Sequence, residues 1–217
     1  MNLKLSGVNL SPFVRKVRVA LAEKGLAYDH EPLMPFGLPA EYVAKHPLKK
    51  IPLLEDGEKV IPDSSAICAY LEGIAPTPAL YPSDAYDRAR AIWFEELADE
   101  GISTGAGAFF RENLLAPLMF KRETDQAKVD QARDEILPPL FDYLEEQLAD
   151  QDHLVGNTFS IADIAVGSQI VNLRHGKGDV DAGRWPNLAA WVERVHGRPS
   201  FKALIEEEQA GIKAMGG

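Results

Sequence analysis

The chain has 217 residues, enough for one large domain or two small ones, and its 46% hydrophobic and 26% charged residues are the balance of an ordinary globular protein. A formal net charge of −10 repels phosphate backbones and sets nucleic acid aside as a partner. No apolar run approaches the ~18 residues of a membrane helix, the first residues lack the apolar core of a secretory signal, and the single cysteine, Cys68, has no internal disulfide partner, so a cytoplasmic protein without membrane contact is expected.

Leu3 and Leu5 predict a short strand. Val14, Val17 and Leu21 fall at helical spacing, and Gly25 stands where that helix would stop. Residues 28–33 predict a second strand. Leu53-Leu54 and Val60-Ile61 flank Asp56-Gly57, the dipeptide of a tight hairpin turn, and Ala66 to Leu71 reads as a helix closed by Gly73. Strand, helix, strand, hairpin, helix is the order of one mixed four-stranded sheet with helices on its faces. Pro76, Pro78 and Pro82 then stiffen a connector over about residues 75–84. The expected division is a first domain over 1–77 and an all-helical second domain over 85–217.

The strand pattern ends there. Ala91, Trp93, Phe94, Leu97 and Ala98 begin a long helix whose continuation carries Gly101, Gly105 and Gly107. Each glycine costs a helix about 1 kcal/mol against alanine, for either close helix packing or room for a ligand. A second helix is expected over about 125–148, bent or interrupted at Pro138-Pro139, then helices over 160–172, 186–197 and 199–208. Ser160 and Asp163 are spaced as a reciprocal capping pair, with Phe159 and Ile164 as its hydrophobic staple, which marks a folding feature.

Chemistry concentrates in two segments. In Leu10-Ser11-Pro12-Phe13, proline suits the first position of a helix and makes Ser11 its N-cap. The same geometry admits a second role, because a helix N-terminus favours an anion, including a thiolate. A free thiol has a pKa of about 8.5, and each unit of depression needs about 1.4 kcal/mol. A hydroxyl donating to sulfur would supply part of that, with Ser11 as donor and not nucleophile. In Lys49-Lys50-Ile51-Pro52, proline opens an apolar strand, and an unpaired Ile51 backbone beside it would bind an extended peptide by strand-like hydrogen bonds. Asp63 and Ser64 precede the Ala66–Leu71 helix. They either cap it or hold the two charges of an α-amino acid head, Asp63 the ammonium and Ser64 the carboxylate.

These two segments, their separation, the proline-rich connector and the later Ser160–Asp163 pair together resemble the cytosolic glutathione S-transferase superfamily, in its serine-using, theta- and phi-like form, over nearly the whole chain. The resemblance implies an N-terminal thioredoxin-like, glutathione-binding domain and an all-α C-terminal domain carrying most of the electrophile site. It implies a homodimer using glutathione as co-substrate, with no metal, conjugating it to a small hydrophobic electrophile. By resemblance Ser11 is the catalytic residue, Ile51 bonds the cysteinyl backbone with Pro52 in the cis form, and Asp63 and Ser64 hold the γ-glutamyl end. Lys50 stands where relatives often carry glutamine and Asp63 where they carry glutamate or glutamine. Phe13, Phe109, Phe110 and Asn113 are the candidates for the electrophile pocket. No cysteine lies near the Ser11 loop, and Met34 to Pro39 lacks the cations that hold the glycine carboxylate in phi-like enzymes, leaving Lys49 or Lys50 to substitute. The alternatives are a non-catalytic interaction or dimerisation module of the same fold, or another glutathione-dependent reaction such as isomerisation, dehalogenation or peroxide reduction.

Elsewhere, His46, His175 and His196 have no metal-ligand spacing and read as solvated or structural. Glu95-Glu96 and Glu206-Glu207-Glu208 read as exposed helix faces, Arg15 and Arg18 as surface or interdomain ion pairs, and Cys68 as a buried small hydrophobe.

Overall fold

The computed structural model describes residues 2–216. By its contacts the chain divides into two compact units, residues 1–80 and 81–217.

The first unit holds β1 (Leu3–Ser6), α1 (Pro12–Glu23), β2 (Asp29–Glu31), α2 (Ala40–Lys45), β3 (Leu53–Asp56), β4 (Lys59–Pro62) and α3 (Ser64–Ile74). The strands form one mixed sheet in the order β2-β1-β3-β4, with β1 parallel to β2 and antiparallel to β3. The βαβ unit followed by a hairpin makes this a thioredoxin-like sheet. Register follows alternation: Leu5 pairs with Leu54 on the sealed face, while Lys4 pairs with Glu55 on the other. The core joins Leu3, Leu5 and Leu54 with Val14, Val17 and Leu21 of α1 and Ile67, Cys68 and Leu71 of α3, all buried. The helix α2 has no counterpart in the sequence reading, because six residues behind a Pro39 N-cap that offers no side-chain bond carry too little periodicity to register.

The proline-rich stretch after α3 is anchored from within the unit. The buried Lys24 ammonium donates to Glu72 (2.7 Å) and to the carbonyls of Ala75 (2.7 Å) and Pro78 (2.9 Å). Of the surface and interdomain alternatives for Arg15 and Arg18, burial removes the first. Both are buried, and Arg18 Nε donates to the Tyr28 hydroxyl at 2.9 Å.

The second unit is all-helical. Its α4 runs unbroken over residues 85–118 and α5 over 126–147, followed by α6 (Ile161–His175), α7 (Pro186–His196) and α8 (Pro199–Ala214). Ile161 to Leu173 are all buried, so α6 is the central helix, covered on every side. Wide π-type turns interrupt the α-geometry at Leu97–Ile102, Phe110–Leu115 and Ala132–Ile136. The last lies just before Pro138-Pro139 and absorbs their missing donors, an interruption of α-geometry at the expected place through which α5 continues. Among the glycines of α4, Gly105 answers to packing. A Cβ on Gly105 would stand 2.6 Å from the Leu137 side chain of α5, whereas Gly101 has only ordinary contacts and Gly107 meets its own Arg111.

Two acid assignments change. Glu95 is buried and accepts from the Tyr81 hydroxyl at 3.2 Å. Glu208 is buried against the His175 ring at 2.8 Å, so one edge of the acidic run on α8 faces inward at helical spacing. Glu112 is a third buried carboxylate. It accepts both arms of the Arg122 guanidinium (2.6 and 2.9 Å) and the Asp125 N–H (3.1 Å), closing the loop between α4 and α5. The Arg122 bonds, more than offsetting the cost of burial, hold the Glu112 carboxyl down to about 2. A folded value below the ordinary 4.5 means that its stabilisation is complete above that pH and is lost as pH falls toward 2. Glu112→Gln is therefore expected to cost about 1.5–3 kcal/mol at pH 7. In paired denaturant titrations the gap to wild type should close between pH ~4.5 and ~2; a gap constant with pH would remove the charge from this account.

Among the described residues, no helix is long and apolar enough to cross a membrane.

Candidate active site

Three chain segments leave the sheet at one end. Ser6 pairs with Leu53, and Leu53 with Pro62. Ser6 ends β1, Leu53 begins β3 and Pro62 ends β4, so this row of neighbours, each ~5 Å from the next, launches the loop to Ser11, receives Ile51-Pro52 and feeds Asp63-Ser64. Residues more than 50 positions apart in sequence are gathered by register alone. Gly7 makes the first departure possible: at φ 148°, a Cβ there would lie 2.5 Å from Val14 and 3.3 Å from Ile51. The His30 Nε2 atom lies 2.8 Å from the Gly7 carbonyl and steadies the same loop.

Ser11 is the N-cap of α1, its hydroxyl accepting from the Val14 N–H at 3.4 Å. Capping uses a lone pair and leaves the hydroxyl's own proton to be donated, so cap and donor are compatible roles. Asp63 caps α3, with Oδ1 accepting from the N–H groups of Ser65 (2.9 Å) and Ala66 (3.1 Å). It does so at φ 75°, ψ 138°, a conformation costing a residue with a Cβ on the order of 1–3 kcal/mol. Ser64 is the buried first residue of α3. Neither α1 nor α3 carries an acidic residue in its first turn; the positive end of α1 stands uncancelled there, whereas that of α3 meets the Asp63 carboxylate at its N-cap. The buried Lys16 ammonium donates to the Ser65 hydroxyl at 3.0 Å and joins the two helix starts. The Ile51–Pro52 bond is cis, and the ladder with β1 stops at Leu53, so the Ile51 backbone lies beyond the paired edge. Lys50 is exposed, and its carbonyl accepts from the Tyr42 hydroxyl at 2.9 Å.

The pocket candidates are not gathered in the same way. Phe13 belongs to the first unit, half-buried on the first turn of α1. Phe109, Phe110 and Asn113 share one stretch of α4 in the second unit. Phe109 and Phe110 are buried, the Phe109 ring packs beside Gly178, and the Asn113 amide donates to the Gly176 carbonyl at 2.7 Å. Sequence reasoning passed over Lys16 and Tyr42. Lys16 looks like any surface lysine until α3 covers it, and Tyr42 lies on the helix that left no periodic signal.

Residues 5–79 match the family described as Glutathione S-transferase, N-terminal domain, and residues 110–208 match Glutathione S-transferase, C-terminal domain. The chain is 31% identical over 209 residues to the uncharacterized GST-like protein YibF of Escherichia coli (strain K12), covering 92% of this chain and 96% of that protein. FtsZ-localized protein A of Caulobacter vibrioides is 26% identical over 211 residues, with 94% and 90% covered. The crystal structure of a glutathione S-transferase from Rhodospirillum rubrum F11 superposes with a TM-score of 0.84 at 28% identity, covering 93% of this chain and 91% of its own. The chain belongs to the glutathione S-transferase family, with the thioredoxin-like first domain and helical second domain of that fold.

Proposed function

We propose that this protein is a glutathione transferase. In this reading it binds glutathione at the Ser6–Leu53–Pro62 end of the sheet and holds the thiol as thiolate through the Ser11 hydroxyl. The departure of the segments that carry Ser11, Ile51 and Asp63-Ser64 from one row of paired residues is the observation that carries it. The tripeptide's thiol sits at the α1 N-terminus beside Ser11. Its cysteinyl backbone pairs with Ile51 next to Pro52, extending the ladder by one strand-like step. Its γ-glutamyl carboxylate meets Ser64 at the α3 N-terminus, and its ammonium meets the Asp63 oxygen that does not cap the helix. Lys50 supplies a cation toward the glycine end. Ionising the thiol and holding it in place are the two rate contributions. In the helical unit the electrophile candidates are Phe109 and Phe110, while the Asn113 amide is committed to Gly176; Phe13 is the candidate of the first unit. The proposal extends to a cytoplasmic homodimer, for which the exposed Tyr86, Ile92 and Trp93 of α4 offer an apolar face.

A second reading, protein binding without catalysis, is favoured by the similarity to a relative named for its localisation with FtsZ. Calorimetric titration with glutathione separates the two. Saturable heat at millimolar glutathione or below is expected; its absence would abandon the transferase in favour of the binding module.

A further inference from the structure

We infer that Tyr42 and His46 form a positioning clamp that aims the Ile51 N–H, and thereby set the affinity for the tripeptide; the second clause rests on the glutathione reading above. Tyr42 lies on α2 and His46 is its C-cap, so the two are one helical turn apart on a shared face. Both are buried. Their rings stack at 6.2 Å with planes 20° apart, and the His46 N–H donates to the Tyr42 carbonyl at 2.9 Å.

The pair grips the following segment at two points. The His46 carbonyl accepts from the Lys49 N–H at 2.9 Å, closing a turn in which Lys49 takes φ 54°. The Tyr42 hydroxyl donates to the Lys50 carbonyl at 2.9 Å. That carbonyl belongs to the same planar unit as the Ile51 N–H. The Lys50–Ile51 bond is not among the cis bonds of the chain, so the two groups point in opposite directions across one rigid plane. Fixing the oxygen on Tyr42 fixes the N–H on the far side, part of the Ile51 backbone proposed above to pair with the cysteinyl backbone. Burial pushes the Tyr42 hydroxyl up to about 12, so it remains a donor throughout the neutral range. Burial also holds the His46 imidazole below its usual value, leaving an uncharged ring to stack.

Tyr42→Phe tests this, since it keeps the ring and the stack and removes only the donor. One lost hydrogen bond of about 1 kcal/mol corresponds to a ~5-fold effect. Amide exchange in the free protein should quicken about 5-fold over residues 49–51, with α1, α3 and the β3 amides unchanged. A purely structural loss would raise exchange across the unit. Calorimetry should show glutathione bound ~5-fold more weakly. In turnover, KM for glutathione should rise while kcat is held. Unchanged exchange over 49–51 overturns the clamp. Quickened exchange with glutathione affinity within twofold of wild type overturns its role in binding. Should wild type give no heat with glutathione, the transferase reading and that role fall together, and the clamp itself is decided by exchange alone.

Discussion

Asp163→Ala will destabilise the helical unit by about 3–5 kcal/mol. The capping pair that starts α6 is present, with the Ser160 N–H donating to Asp163 Oδ2 at 3.0 Å. The carboxylate does more than cap. Its Oδ1 accepts from the Leu154 N–H at 3.1 Å and the Trp191 Nε1–H at 2.8 Å, and the His153 ring lies 3.4 Å away. One fully buried side chain thus joins the preceding loop, the start of α6 and the face of α7. Alanine leaves three buried N–H donors without an acceptor, each costing about 1–3 kcal/mol and together less than their sum. With total stabilities of about 5–15 kcal/mol, the transition should fall by roughly 10 °C or more. Asp163→Asn should lose less than alanine and still fall short of wild type, because its NH2 group faces donors. Denaturant melts followed by Trp fluorescence will measure it; a loss under 1 kcal/mol for alanine would show that the network is not what holds these elements.

Ser11→Ala should lower kcat/KM for conjugation of a general aryl halide by about 10- to 100-fold, the effect of returning a bound thiol one to two units toward its free value. The pH profile distinguishes this from damage to the fold. Losing thiolate stabilisation moves the rising limb of kcat/KM toward the free thiol pKa of about 8.5, so the deficit shrinks as pH rises. A damaged helix start would depress the rate at all pH values. The lost cap itself should cost about 1 kcal/mol, a modest sum given the long 3.4 Å bond to Val14. Ser11→Gly, which N-caps tolerate, should match alanine in rate and lie closer to wild type in stability. Undiminished activity in Ser11→Ala would sink the assignment of Ser11. This variant strikes kcat, while Tyr42→Phe strikes KM for glutathione, so the two roles separate in one set of assays.

Local rules were legible in the chain because their causes are local. Asp56-Gly57 marks the β3–β4 turn, Pro12 behind Ser11 marks the start of α1, and Ser160 with Asp163 marks the start of α6, each through backbone needs met within a few residues. The alternation of Leu3 and Leu5 and the helical spacing of Val14, Val17 and Leu21 expressed which faces would be buried, and the mixed sheet followed from the sequence of elements. The family was legible for the same reason, as motifs at fixed separations. What lay beyond the sequence was the fate of polar groups, because it depends on what another element brings to them. Lys16, Lys24, Glu95 and Glu208 have the composition of a surface and are buried by α3, by the linker or by a neighbouring helix. Gly105 reads equally as cavity or contact until Leu137 stands opposite it. Tyr42 becomes a positioning group only when α2 carries it to the Lys50 carbonyl. Folding sets these outcomes through distance and desolvation between segments far apart in the chain, quantities that no short window of residues contains.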